Sequence, residues 1–233
     1  MRAARPDLPP GAFHRLLHWF AVFALGLLLG SPGVSCHAGE AAGSDDLDTL
    51  LAQVRERVGR TATVQCSFEQ ERALSVFAHP ILFTGRMALR RPSRLRWENL
   101  TPIPSVLVFA GEKGFRCNDD APPVHFELDR DPLMRMIAEQ LWTWIDGDYA
   151  ALRDRYEISL SGDHEIRLRP REGGFAGAIQ SVTVRFSADT LQPESIVILE
   201  PGGDSTTIRF AAYRINEPVD EKLFETCAPS RHP

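Results

Sequence analysis

The sequence predicts an α+β domain in which a strongly curved antiparallel sheet is covered by helices. Three observations carry this. Extended runs recur at short, regular spacing between Thr61 and Ala211, and turns rich in Gly, Pro and Asp separate them. One amphipathic helical pattern precedes the first run. A second helical segment, Leu133 to Ile145, divides the strands into two groups. The composition suits such a fold. With 43% hydrophobic and 24% charged residues, the 233-residue chain is folded rather than disordered. It is also long enough to bury a core without disulfide staples.

The N-terminus stands apart from this pattern. Arg2, Arg5 and Arg15 precede an apolar stretch, Leu16 to Gly30, that only His18 interrupts, and Ser31-Pro32-Gly33 follows it. A basic start, a short apolar run and then small residues predict a secretory signal peptide over residues 1–38, cut after Ala38. The uninterrupted run Trp19 to Leu29 falls well short of the ~20 residues that a bilayer span requires. An alternative reading takes Gly33-Val34-Ser35-Cys36 as a weak lipobox in which Cys36 is lipidated. Residues 39–233 then form one domain, with no repeat, low-complexity tract or linker dividing it.

Within that domain, Ser44 or Asp45 caps a helix in which Leu47, Leu50, Leu51, Val54 and Val58 recur at helical spacing, ending at Gly59. From Thr61 the period changes to two: Val64, Cys66, Phe68 and Gln70 share one face, and Gln65, Ser67, Glu69 and Glu71 the other. Further extended runs cover Ile81 to Leu89 and Arg94 to Glu98. Ser105 to Ala110 is continuously apolar, and a Gly111–Gly114 turn leads into Phe115-Arg116-Cys117. Asp131-Pro132 supplies an N-cap and an N1 proline for the second helix. Leu133, Met134, Met136, Ile137, Ala138, Leu141, Trp142, Trp144 and Ile145 surround most of that cylinder, which marks a helix that is deeply buried or covers an apolar cavity. A short helix around Tyr149, Leu152 and Tyr156 follows. Strands return at Ile158, Glu165–Arg169, Ser181–Ser187, Ser195–Glu200 and Thr206–Ala211.

Chemistry-bearing motifs are scarce. The sequence has no G-x-S-x-G, H-E-x-x-H, Gly-rich phosphate loop or EF-hand spacing. Asp163-His164-Glu165 reads as a solvated turn entering a strand, and no paired carboxylates stand out, so no residue nominates itself as catalytic and no cofactor is expected. Cys66, Cys117 and Cys227 are separated by 51 and 110 residues without any C-x-x-C or C-x-x-H element, which argues against a metal site. One bridge and one free thiol are expected in an oxidising compartment, with the pairing left open.

Charge is unusual in kind rather than amount. The 26 basic residues comprise 24 Arg and only Lys113 and Lys222. Five Arg fall between Arg86 and Glu98. Alternation there places Arg94, Arg96 and Glu98 on one face, read as solvated, with Leu95 and Trp97 on the other. Nucleic-acid binding is excluded because the aromatic lies opposite the charges and the domain is acidic. Removal of residues 1–38 leaves 23 basic and 30 acidic residues, a net charge of −7.

Five pieces in order resemble the LolA family of lipoprotein carriers, across about Leu47 to Phe224. They are Ser67-Phe68-Glu69-Gln70; Gly85 followed by Arg91-Pro92-Ser93-Arg94-Leu95-Arg96-Trp97; Pro104-Ser105-Val106-Leu107-Val108; Leu168-Arg169-Pro170-Arg171; and Asn216-Glu217-Pro218-Val219-Asp220-Glu221-Lys222-Leu223-Phe224. The resemblance implies an incomplete, strongly curved antiparallel β-barrel closed by a helical lid over an apolar cavity. It implies a non-enzymatic, monomeric periplasmic carrier. That carrier takes the acyl chains of a lipoprotein or lipid from an inner-membrane donor and moves them towards an outer-membrane acceptor. Leu95 and Trp97 match cavity-lining positions, with Phe68, Met87, Leu89, Val106, Val108 and Phe115 as further candidates. Arg91 matches an arginine that latches the lid, and Leu133, Met134, Ile137 and Leu141 belong to the lid itself. A chain lipidated at Cys36 would instead resemble the membrane-anchored acceptor LolB, and a lipid-processing enzyme is the third reading. Leu95 stands where an aromatic is common, the tail after Phe224 is short, and the cysteines are additional. The cargo is therefore left among a lipoprotein, a glycolipid and a fatty-acyl product.

Overall fold

Two meanders of β-strand join edge to edge into one antiparallel sheet. The computed structural model describes residues 42–118, 121–171 and 177–228; the predicted signal peptide and Cys36 lie outside them. Helix α1 (Ala42–Gly59) precedes strands β1 (Thr63–Ala73), β2 (Ile81–Arg90), β3 (Arg94–Thr101), β4 (Ser105–Ala110), β5 (Lys113–Asn118) and β6 (Val124–Glu127). Helix α2 (Pro132–Ile145) and a 3₁₀ turn (Tyr149–Asp154) then lead into β7 (Tyr156–Gly162), β8 (Glu165–Pro170), β9 (Ser181–Phe186), β10 (Pro193–Leu199) and β11 (Ser205–Ile215). A last 3₁₀ turn spans Glu221–Phe224. The strand order β6-β5-β4-β3-β2-β1-β11-β10-β9-β8-β7 makes β1 and β11, at 11 residues each, the seam between the halves. β6 and β7 are left as separate edges, so the barrel is open.

Strand register produces the curvature. Bulges at Gln65/Ser67, Thr84/Gly85, Leu160/Gly162 and Pro193/Ser195 each insert a local bend and extra twist. Gly85 and Gly114 allow aromatic rings to cross the backbone. A Cβ at Gly85 would lie 2.1 Å from the Phe68 ring, and one at Gly114 would lie 2.3 Å from the Phe126 ring.

The helices form largely as read. In α1, Leu47, Leu50, Leu51 and Val54 are buried against β7–β10, although the helix starts at Ala42 rather than at the expected cap. Asp131 caps α2, accepting from the Met134 amide at 3.0 Å, with Pro132 in the first turn. The apolar residues of α2 do not all turn inward: Met134, Ile137 and Ala138 are buried, whereas Leu133 is 40% exposed. Strand β6 was not expected from the sequence, because Val124–Glu127 is too short and too exposed to show alternation.

The predicted solvated face of β3 is the principal correction. Arg96 and Glu98 are 1% and 2% exposed. The C-terminal segment returns across the convex side of the sheet and covers them, packing Leu223 and Phe224 on Ala88, Val106, Val108 and Phe115. Arg96 donates to the carbonyls of Leu223, Thr226 and Ala228 at 2.7–2.9 Å and to Glu98 at 3.2 Å. Arg90 and Arg94 both pair with Glu221. The Cys117–Cys227 disulfide fastens the same segment to β5, closing a 110-residue span of the kind whose cross-linking restricts the unfolded chain most.

Cys66 is left as the buried free thiol on the concave face. Burial disfavours its thiolate and pushes its pKa up from 9.0 to about 12. The group is neutral in both states at pH 7. Above pH 9 the unfolded thiol ionises while the folded one does not, so stability falls as pH rises towards 12. Folded protein at pH 8 is expected to show at least a hundredfold slower iodoacetamide labelling at Cys66 than urea-unfolded protein, mapped by peptide mass. Equal rates would contradict the burial.

Candidate functional site

An apolar cavity of about 220 Å³ lies against the concave face, more than ten times the roughly 10–15 Å³ that one water needs on that measure. It draws on both meanders and both helices. Val64, Met87, Leu89, Leu95, Trp97 and Leu107 come from β1–β4. Val182, Ile196, Ile208 and Phe210 come from β9–β11. Val54 and Val58 of α1 and Ile137, Leu141 and Ile145 of α2 complete the enclosure.

Alternation and register decide which predicted residues reach it. Met87 and Leu89 pair with Trp97 and Leu95 across β2–β3, so all four share the cavity face. Phe68 is on that face too, but it sits between Gly85 and Trp97, with its ring centroid 4.2 Å from the indole, and supports the wall rather than forming it. Val106, Val108 and Phe115 are on the wrong side. Val106 and Val108 pair with Glu98 and Arg96, and Phe115 with Val108, so all three join the convex cluster under the C-terminal segment. Their β4 neighbours Leu107 and Phe109 face inward instead. The apolar run Ser105–Ala110 is buried on both faces and shows no period from which to choose.

Over β1–β6, α2 provides the roof: Met134, Ile137 and Ala138 pack with Leu89, Leu95, Leu107 and Phe109. Leu141 lines the cavity, while exposed Leu133 takes no part. At the end of α2, Arg91 donates to the Ile145 carbonyl at 2.8 Å and to the Asp146 carboxylate at 2.5 Å. Arg91 therefore ties the β2–β3 turn to the helix terminus, where the free carbonyls and dipole favour a cation. Trp144 packs edge-on against Tyr149 and Tyr156 on the other side of the roof.

Sequence reading missed the β9–β11 wall, although Ile196, Ile198, Thr206, Ile208 and Phe210 alternate in their strands and that signal was available. It also missed a polar end. Gln70 and Arg72 continue the inward face of β1, and Arg72 lies 3.4 Å from Glu200. Burial raises the Glu200 carboxyl pKa, Arg72 opposes this, and Asp204 adds to it. Tyr213, also in the wall, donates to the Pro193 carbonyl at 2.6 Å, and burial raises its phenol pKa. Among the described residues no group of three His, Cys, Asp or Glu side chains is placed to hold a metal, and no helix is long and apolar enough to cross a membrane.

An open β-barrel around a roofed apolar cavity is thus the class that fold and site define. The model of the LolA family, outer membrane lipoprotein carrier protein LolA, matches residues 59–227, and the chain belongs to that family. An outer-membrane lipoprotein carrier protein of Coxiella burnetii (strain CbuK_Q154) is 21% identical over 212 residues, covering 88% of this chain and 94% of the relative. One from Pseudoalteromonas translucida (strain TAC 125) is 19% identical over 150 residues, covering 62% and 67%. In fold, the chain is similar to crystalline MucB, with a TM-score of 0.52 at 18% identity over 79% of this chain and 64% of that one.

Proposed function

We propose that the protein is a periplasmic, monomeric carrier. It holds the acyl chains of a lipoprotein or lipid in the concave cavity and shuttles them from an inner-membrane donor towards an outer-membrane acceptor. The apolar cavity beneath α2, whose end Arg91 hydrogen-bonds, is the observation that carries this reading. Each methylene withdrawn from water contributes roughly 0.8 kcal/mol, and such a surface must be shielded when empty. Helix α2 does both: Ile137 and Leu141 contact the cavity when it is closed and yield to cargo when it opens. Transfer then depends on differential affinity among donor, carrier and acceptor, without covalent chemistry.

Native mass spectrometry of the protein purified from the exporting cell is expected to show bound acyl species that organic extraction removes. Arg91→Leu deletes both hydrogen bonds to the helix terminus. These are partly exposed, so their loss is worth about 1–2 kcal/mol in the closed state, or roughly a fivefold to thirtyfold shift towards open. Uptake of an apolar fluorescent dye by the delipidated variant should rise accordingly, with unchanged far-UV circular dichroism. A ligand-free wild type whose dye uptake is insensitive to Arg91→Leu would remove the reading.

A further inference from the structure

One end of the cavity, far from Arg91, holds the Arg72–Glu200 ion pair, and the register shows which. Along β1 the wall runs from Val64, near the Arg91 latch, to Arg72, a distance of about 26 Å for an extended strand. Around Arg72 stand Gln70, Glu200 and Thr206, whereas the remaining wall is largely apolar. Charged groups placed in an apolar cavity carry a desolvation cost, which the Arg72–Glu200 contact at 3.4 Å opposes. Asp204, whose carboxylate accepts from the Ser75 amide at 2.7 Å, adds a second negative charge beside Glu200.

Three turns gather at this same end, because Ala73 pairs with Ser205 and Thr84 with Thr101. They carry the exposed side chains Val76, Phe77, Ile103 and, at the strand ends beside them, Leu82 and Leu199. An amphiphile that enters tail first from this rim leaves its head beside Arg72 and Glu200.

We propose that this polar end is a head-group site for an acyl lipid whose head carries both a phosphate and an ammonium group, the phosphate meeting Arg72 and the ammonium meeting Glu200 with Asp204 behind it. The inference rests on the carrier reading and adds orientation and head-group class to it. A purely anionic head would gain Arg72 but face both carboxylates. A neutral head would leave the pair as it is.

Isothermal titration of the delipidated protein with three lipids of one acyl chain tests this: lysophosphatidylethanolamine, lysophosphatidylglycerol and monoacylglycerol. The wild type is expected to prefer the ethanolamine lipid by about tenfold, the worth of one charge-assisted contact. Glu200→Gln should abolish that preference over the glycerol phospholipid while retaining affinity for monoacylglycerol. Arg72→Met should weaken both phospholipids and spare monoacylglycerol. Equal binding of all three lipids by the wild type, or a preference that Glu200→Gln leaves intact, overturns the head-group assignment alone. Failure of every lipid to bind the wild type removes the carrier reading with it. Glu200→Gln keeps Arg72 in place, so the test survives an Arg72→Met variant that fails to fold.

Discussion

Trp97→Glu is expected to reduce acyl-chain affinity by at least about a hundredfold while leaving the sheet folded. The indole is part of the cavity wall, with Phe68 stacked behind it at 4.2 Å and Phe210 edge-on at 6.3 Å. A carboxylate there stays hydrated only while the cavity is wet, so an incoming acyl chain must strip it of water, at a cost of several kcal/mol. The fold loses the aromatic contacts and some packing, about 2–4 kcal/mol, which leaves a domain of ordinary stability folded. Trp97→Ala provides the contrast: it loses similar packing but keeps the wall apolar, and should bind within about tenfold of wild type. Leu95→Glu acts in the same direction with a larger loss of stability, because Leu95 is fully buried against β2 and β4. Fluorescent acyl-chain titration, with circular dichroism as the folding control, measures both. Loading that survives Trp97→Glu and Leu95→Glu would place the ligand elsewhere.

Arg96→Met is expected to cost about 3–5 kcal/mol of stability, the range for removing one member of a buried charged network. Its guanidinium is the common donor for the carbonyls of Leu223, Thr226 and Ala228, and it neutralises Glu98 beneath the same segment. Methionine fills much of the volume and supplies none of those hydrogen bonds. The Leu223 carbonyl then stays buried without Arg96, and the partly buried Thr226 and Ala228 carbonyls lose this donor, unless the segment lifts away. The Cys117–Cys227 bridge keeps the lifted segment attached, so reduction should add to the effect. Proteolysis within residues 219–228 is expected to be rapid in reduced Arg96→Met protein and slow in the oxidised wild type. Urea unfolding gives the energy, and a loss below about 1 kcal/mol would show that the carbonyl cage is not a support. Arg96→Met with Glu98→Leu should recover part of the loss, because the buried carboxylate that has lost the Arg96 charge goes too.

These two adjacent positions show how far the sequence reads by itself. Polar and apolar residues alternate through Arg94–Glu98, so the inward direction of Leu95 and Trp97 was legible, and Met87 and Leu89 followed by the same rule. Val106 and Val108 were not legible, because β4 is apolar on both faces and only pairing with Arg96 and Glu98 assigns their side. Arg96 misled for the opposite reason. A charged residue on a strand face normally meets water, and the segment that covers this one lies 127–132 residues further along the chain.

Local chemistry determined the α+β class, the capped and proline-started α2, the inward pair Leu95 and Trp97, and the absence of any familiar catalytic motif. Each depends on neighbours within a few residues, and the sequence displays those directly. Tertiary structure decided the convex placement of Val106, Val108 and Phe115, the burial of Arg96, the pairing of Cys117 with Cys227, and the meeting of Arg72 with Glu200. All of these join residues brought together by strand register or by the returning C-terminus. Periodicity reveals that a strand has two faces; only the elements packed on them determine which face is dry.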